Sequence, residues 1–392
     1  MQKSIFSAIL FATFALGSAT ASAQSLIESV ATEVVYTSDL YSNTSGGADT
    51  GTRYLQNLDL AASIDVEQFF GGGKGELFVY VIYDDNTTLS DLVGDLQVAS
   101  NIDADQGWRL YEAWWDLPLT ENLGLRTGLF DLNSEFDAIE TAGYFNNSSH
   151  GIGADYSQSG QNAPSIFPST SAAIRLAWSP QESMILRYAL LDGVPGDPAD
   201  AEAFADSKIR DGEGVLHALE LENTLDSGIR TAVGLWRYSS EFEKINEFAG
   251  VTPISDSGNQ GVYAFVDAPV YQSDNGLWVN AFARYGIANQ DFNQLSSYLG
   301  FGAVAGGLIS SRPEDTLGLA VATAFNGDDY KTLNGGLVDD HETAIELTYS
   351  AQLTDKFRIQ PDIQYIINPG ADPSLDNALV IGVRFELAWA SP

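Results

Sequence analysis

The chain has 392 residues, with 53 acids against 18 bases, a net charge of -35 and no cysteine. So negative a chain repels nucleic acid and argues against a polyanion-binding surface, and without cysteine it has neither a disulfide framework nor thiolate chemistry. Aromatic residues at 11% and apolar residues at 44% exclude a disordered polymer, so the charge belongs to a folded chain.

Residues 1–23 read as a secretory signal peptide. Lys3 supplies the charged start, residues 5–16 the apolar core and Ala21-Ser22-Ala23 the cleavage motif, so the mature domain spans 24–392. Beyond it no run of eighteen apolar residues offers a spanning helix. Membrane strands are short and alternate, and this test does not touch them.

Period-two alternation predicts sixteen strands. The first four fall near 28–40, 54–69, 75–84 and 107–117, joined by a long connection (41–53), a short one (70–74) and a long one (85–106). A fifth, near 122–130, follows the tight turn 118–121. Next comes 131–171, with no sustained period but with aromatics (Phe136, Tyr144, Phe145, Phe167), an asparagine pair (Asn146, Asn147) and acids (Asp131, Glu135, Asp137). So long an irregular segment is rare unless it has a function, and this composition suits a loop packed inside something hollow. Strands near 172–179, 183–192, 213–223 and 228–239 enclose short turns at 180–182 and 224–227 and a long connection at 193–212. After the long connection 240–258 come strands near 259–270, 276–286, 295–308, 316–326, 341–352, 356–367 and 377–389. Their connections alternate short (271–275, 309–315, 353–355) and long (287–294, 327–340, 368–376).

Long and short connections in strict alternation predict an all-β, antiparallel up-and-down transmembrane barrel with long outer loops and tight periplasmic turns. A soluble sandwich has no reason to keep that alternation. The faces agree: Phe357, Ile359, Pro361, Ile363, Tyr365 and Ile367 alternate with Arg358, Gln360, Asp362 and Gln364. Sixteen strands enclose a space too wide for side chains to fill, so polar faces should line a channel and apolar faces meet lipid. Tyr36, Tyr83, Trp178, Tyr188, Tyr238, Tyr285, Tyr349 and Trp389, near strand ends, fit interfacial girdles.

The same alternation puts Arg126, Arg175, Arg187, Arg284 and Arg384 on polar faces, with Glu220, Glu222, Glu342, Glu346, Asp362 and Glu386. Guanidinium and carboxylate groups hydrogen-bond hydroxyls at fixed geometry, and nearby rings offer a surface for the CH faces of a sugar. The plainer reading, favoured for any single residue, is that these charges pair with one another and stiffen the wall. Enzyme chemistry finds little support: His150, His217 and His341 have no triad or metal spacing. The glycines of 300–307 suit a close-packed strand, not a phosphate cradle. Acidic loops (Asp192, Asp197, Asp200, Asp206, Asp211; Asp328, Asp329, Asp339, Asp340) have the chemistry for calcium. No twelve-residue calcium loop is spelled out, so solvated loops and no cofactor are expected. Sparse lysines speak against an anion-selective pore.

Several stretches are similar to the carbohydrate-selective porin family, OprB type: Asp39-Leu40-Tyr41-Ser42-Asn43, Asn57-Leu58-Asp59-Leu60, Val93-Gly94-Asp95-Leu96-Gln97, Arg109-Leu110-Tyr111-Glu112-Ala113-Trp114 and Gly128-Leu129-Phe130-Asp131. So are Phe145-Asn146-Asn147-Ser148-Ser149, Ile166-Phe167-Pro168, Ser311-Arg312-Pro313-Glu314-Asp315 and the run from Gln360 through Pro361 to Gly370. The resemblance covers about Tyr36 to Trp389. It implies a sixteen-stranded outer-membrane barrel for passive sugar diffusion, with the third outer loop folded into the lumen. The implied partners are small sugars, outer-membrane lipids and lipopolysaccharide, and a homo-oligomer is compatible with the fold. Residues expected at the constriction or in sugar contact are Arg126, Asp131, Glu135, Tyr144, Phe145, Asn146, Arg175, Arg187, Arg284, Asp362, Arg384 and Glu386. The alternative, from the acidic balance, is a general cation-preferring pore.

Overall fold

Strands carry nearly all the regular structure in the computed structural model, which describes residues 29–391 apart from 86–87, 201–202 and 207. The expected signal peptide and its cleavage site lie outside the described residues. The first half of the chain supplies β1 (Val30–Ser45), β2 (Gly51–Asp65), β3 (Glu76–Asp84), β4 (Gly107–Thr120), β5 (Leu123–Phe130), β6 (Ser171–Gln181), β7 (Met184–Asp192), β8 (Val215–Thr224) and β9 (Arg230–Tyr238). After these come β10 (Phe242–Ala249), β11 (Thr252–Asp256), β12 (Gln260–Gln272), β13 (Trp278–Ala288), β14 (Leu295–Gly306), β15 (Thr316–Asn326), β16 (His341–Thr354), β17 (Phe357–Ile367) and β18 (Ala378–Ala390). Sixteen of them form one closed antiparallel barrel in which sequence neighbours pair, and β9 joins β12 past a separate β10–β11 hairpin. β1 pairs with β18 to close it, setting Val34 opposite Trp389 and Asp39 opposite Arg384. Closure leaves no free sheet edge.

The two faces of each strand differ as alternation dictates. On β8, Leu219 and Leu221 are exposed while Glu220 and Glu222 are buried; on β17, Ile363 and Tyr365 are exposed while Gln360, Asp362 and Gln364 are buried. On these stretches the charged and amide side chains point inward and their apolar neighbours outward, while a few apolar side chains such as Leu216 and Ile366 are buried on the inward phase.

Four expectations change. β1 and β2 run on through much of the stretch read as the loop 41–53, leaving only 46–50 between them. The polar run there looked like a loop, but Ser42 and Thr52 pair across the ladder with hydroxyls 2.6 Å apart, and Asn43 Nδ2 donates to the Gly46 and Asp49 carbonyls at 2.8 Å. The second predicted strand ends early: Val66–Phe70 is a short helix, because Asp65 caps it by accepting from Gln68 N at 2.9 Å and Gly71 ends it with φ 69°. The connection 240–258 contains the β10–β11 hairpin. Tyr238 is no girdle residue. It is wholly buried on the inward face, edge-on to Trp236 at 6.0 Å.

Candidate functional site

Five side-chain groups organise the inward face. In the first, β5 and β6 place Arg126 directly opposite Arg175. Two adjacent guanidinium groups repel, and two acids compensate. Asp116 Oδ2 lies 2.8 Å from Arg126 and 2.9 Å from Arg175; Glu135, from the 131–170 segment, lies 3.0 and 2.6 Å from them. The Arg126 guanidinium also sits 3.7 Å above the Trp114 ring.

The second group lies on β7, β8, β9 and β12. Arg187 contacts Glu220 at 3.0 Å and Glu222 at 2.9 Å; Arg230 contacts Glu222 at 3.1 Å and Asp267 at 3.6 Å. The 131–170 segment joins in through its backbone: Asp137 N donates to Glu220 at 2.8 Å and Thr141 N to Asp267 at 3.1 Å.

In the third, Arg284 of β13 is 3% exposed and binds two carboxylates from the segment, Asp137 at 2.8 Å and Asp155. The Tyr263 and Tyr298 rings stand 5.4 and 5.1 Å from its guanidinium carbon. Two glycines give it room: a Cβ on Gly153 would overlap Arg284, and one on Gly286 would overlap Asp155.

The fourth group uses carboxylates to hold loop backbone. Glu346 of β16 accepts from Asn146 N at 2.6 Å and Asn147 N at 3.0 Å; Glu342 accepts from Leu96 N at 2.8 Å, Gln97 N at 3.0 Å and Gly370 N at 2.7 Å. Gln360 Nε2 donates to the Tyr144 carbonyl at 2.9 Å, and Gln364 Nε2 to the Ala99 carbonyl at 2.7 Å. Each wall carboxylate thus satisfies backbone donors that irregular chain would otherwise leave unpaired. Phe145 completes the anchor, 1% exposed and packed 6.0 Å from Phe282. The fifth group is the seam, where Arg384 binds Asp39 through two bonds of 2.7 Å and Ser100 Oγ donates to Asp39 at 2.7 Å.

His150 sits in this packing between Phe145 and Phe282, at 5.0 and 5.9 Å, and burial pushes its imidazole down to about 3. Because the folded value lies below the ordinary 6.5, the neutral ring's contribution to stability is whole above pH 6.5 and is lost as pH falls toward 3. A pH series of denaturant unfolding should therefore show His150→Gln gaining on the parent across that window. Parallel curves would exclude the linkage.

Residues 49–388 match the family model described as carbohydrate-selective porin, OprB family. The chain belongs to this family. It is 24% identical to Porin B of Pseudomonas aeruginosa over 90% of this chain and 86% of that protein. The high-pH structure of Pseudomonas putida OprB superposes with a TM-score of 0.83 at 18% identity, covering 93% of this chain and 96% of that one. The low-pH structure of the same protein gives 0.60 at 15% identity, covering 97% and 100%. The outer-membrane channel DcaP of Acinetobacter baumannii gives 0.56 at 11%, covering 92% and 97%. The family and its fold are those of outer-membrane channels.

The porin does not gather the twelve predicted residues in one place. Arg126, Glu135 and Arg175 meet in the first group. Arg187 belongs to the second and Arg284 to the third. Asn146 is in the fourth, beside Phe145 and the Tyr144 carbonyl, and Asp362 accepts there from Gln364 Nε2 at 3.0 Å. Arg384 lies on the seam, and Glu386 pairs with Arg358. Asp131 caps a short turn, accepting from Asn133 N at 2.9 Å. Sequence reasoning left out Asp116, Asp155, Arg230 and Asp267. Arg230 was legible in principle, since it shares the inward phase of Ala232, Gly234, Trp236 and Tyr238 on β9. Those glycine and aromatic positions mask the alternation.

Proposed function

We propose that this porin passes small sugars down their gradient and that its 131–170 segment lies across the lumen and sets the aperture. The observation that carries the reading is the pairing of the inward charges. Arg126, Arg175, Arg187, Arg230 and Arg284 each touch an acid, while Glu346 and Glu342 are occupied by backbone donors. A wall of paired charges offers hydrogen bonds at fixed positions but a weak net field, which suits an uncharged polyhydroxylated solute. Of the twelve residues, Arg126, Arg175, Glu135 and Tyr144 are the ones assigned to the aperture. They come from the wall and from the segment, and Arg126 brings an aromatic face with it.

The reading includes export through residues 1–23 and an apolar outer face seated in outer-membrane lipid and lipopolysaccharide. Liposomes carrying the porin should swell faster in maltose or glucose than in size-matched neutral solutes that are not sugars. Equal rates would overturn the sugar preference.

A second reading, a general cation-preferring pore, is favoured by the excess of acids over arginines on the inward face. It predicts strong cation selectivity in reversal potentials, undiminished when Tyr144 is replaced by alanine. The sugar reading predicts weak ion selectivity and a loss of sugar preference in Tyr144→Ala.

A further inference from the structure

The outward surface over β8, β9, β12 and β13 carries a groove of about 550 Å³ that sugar passage does not use. Two cross-strand rows build it. In the lower, Leu235 faces Leu219 and Val262, and Val262 faces Ile287; all four are exposed. One step toward the long connections, Arg237 faces His217 on one side and Gln260 on the other. Tyr188 Oη lies 2.9 Å from His217 Nδ1.

Arg237 is unlike the inward arginines. Those are paired with acids, whereas Arg237 is exposed and, among the described residues, has no acid within ion-pair distance and no acid directly across either ladder. A free guanidinium is conspicuous in a chain with 53 acids and 18 bases. It sits where an apolar band gives way to polar residues, on the side of the barrel that carries the long connections.

We infer that this groove holds a phosphate-bearing acyl amphiphile of the outer leaflet, a lipid A-type glycolipid, with chains along Leu235, Val262 and Ile287 and a phosphate on Arg237. Charge complementarity selects this occupant. Guanidinium pairs strongly with phosphate, apolar rows suit acyl chains, and the acidic remainder of the chain repels an anionic headgroup elsewhere. A second copy of this acidic chain would bring more negative charge without a phosphate to match.

The inference rests on the reading of the chain as an outer-membrane pore with its long connections outside. Porin reconstituted with diphosphoryl lipid A and phosphatidylcholine is taken through detergent exchange, and the retained lipid is read by native mass spectrometry. The porin should retain lipid A over phosphatidylcholine. Arg237→Gln should lower that retention about fivefold, Val262→Trp should lower it by filling the groove, and dephosphorylated lipid A should be retained no better than phosphatidylcholine. Sugar flux in the same preparations should be unchanged, which separates failure of this site from failure of the pore reading. Equal lipid A retention by the parent and Arg237→Gln, equal retention of the dephosphorylated form, or a second porin chain found in the groove would each overturn it.

Discussion

Arg284→Met should destabilise the porin by about 3–5 kcal/mol, the usual cost of removing one partner from a buried ion pair. Arg284, Asp137 and Asp155 have side chains 3%, 1% and 0% exposed, so the two carboxylates cannot reach water without moving the segment. Burial already holds Asp137 up to about 6 with the guanidinium present. Without it, the acids must take up protons or leave, and leaving carries residues 137–155 off β13. The variant should therefore unfold at lower urea concentration and conduct more current per channel. Arg284→Lys keeps the charge but not the planar fork, so it should fall between the two. A variant with parental stability and parental conductance would show that the ion triad is not an anchor.

Arg384→Met should act on the barrel itself. Arg384 and Asp39 are 2% and 0% exposed and lie opposite each other where the first and last strands meet. Truncating the arginine leaves Asp39 with the Ser100 hydroxyl and no cation. The expected cost is again about 3–5 kcal/mol. Because it falls on the closing pair of strands, it should appear as slower barrel assembly as well as an earlier unfolding transition. The double variant Asp39→Asn, Arg384→Met removes both charges and should recover part of the loss. If it is worse than the sum of the single variants, the seam is held by something other than this pair.

Alternation made the barrel legible because side chains that face lipid and side chains that face water must differ in kind. Residues 357–365 illustrate it, with Ile366 the one apolar side chain of that strand buried on the inward phase, and so do Arg126, Arg175, Arg187, Arg284 and Arg384, all on the inward face. Alternation failed where local chemistry outweighed it. Asp65 and Gly71 turn an apparently continuing strand into a helix. Ser42, Asn43 and Thr52 look like loop residues but bond across a ladder. Tyr238 has the composition and place of a girdle residue, yet its ring fills the inward side beside Trp236. The partners of the arginines were beyond reach for a different reason. Glu135 meets Arg126 and Arg175, and Asp137 meets Arg284 far along the chain, only because an irregular segment takes one particular path. Its hydrogen bonds go to carboxylates on distant strands, and no period in the sequence records them.

Residues 131–170 are proposed to set the aperture that sugars pass. Single-channel recording with maltose, comparing the porin with a variant in which residues 136–157 are replaced by a short glycine-serine link, tests this most directly. Conductance should be several times larger in the shortened variant, and current interruptions by maltose should disappear with the segment. Unchanged conductance with unchanged maltose interruptions would contradict it.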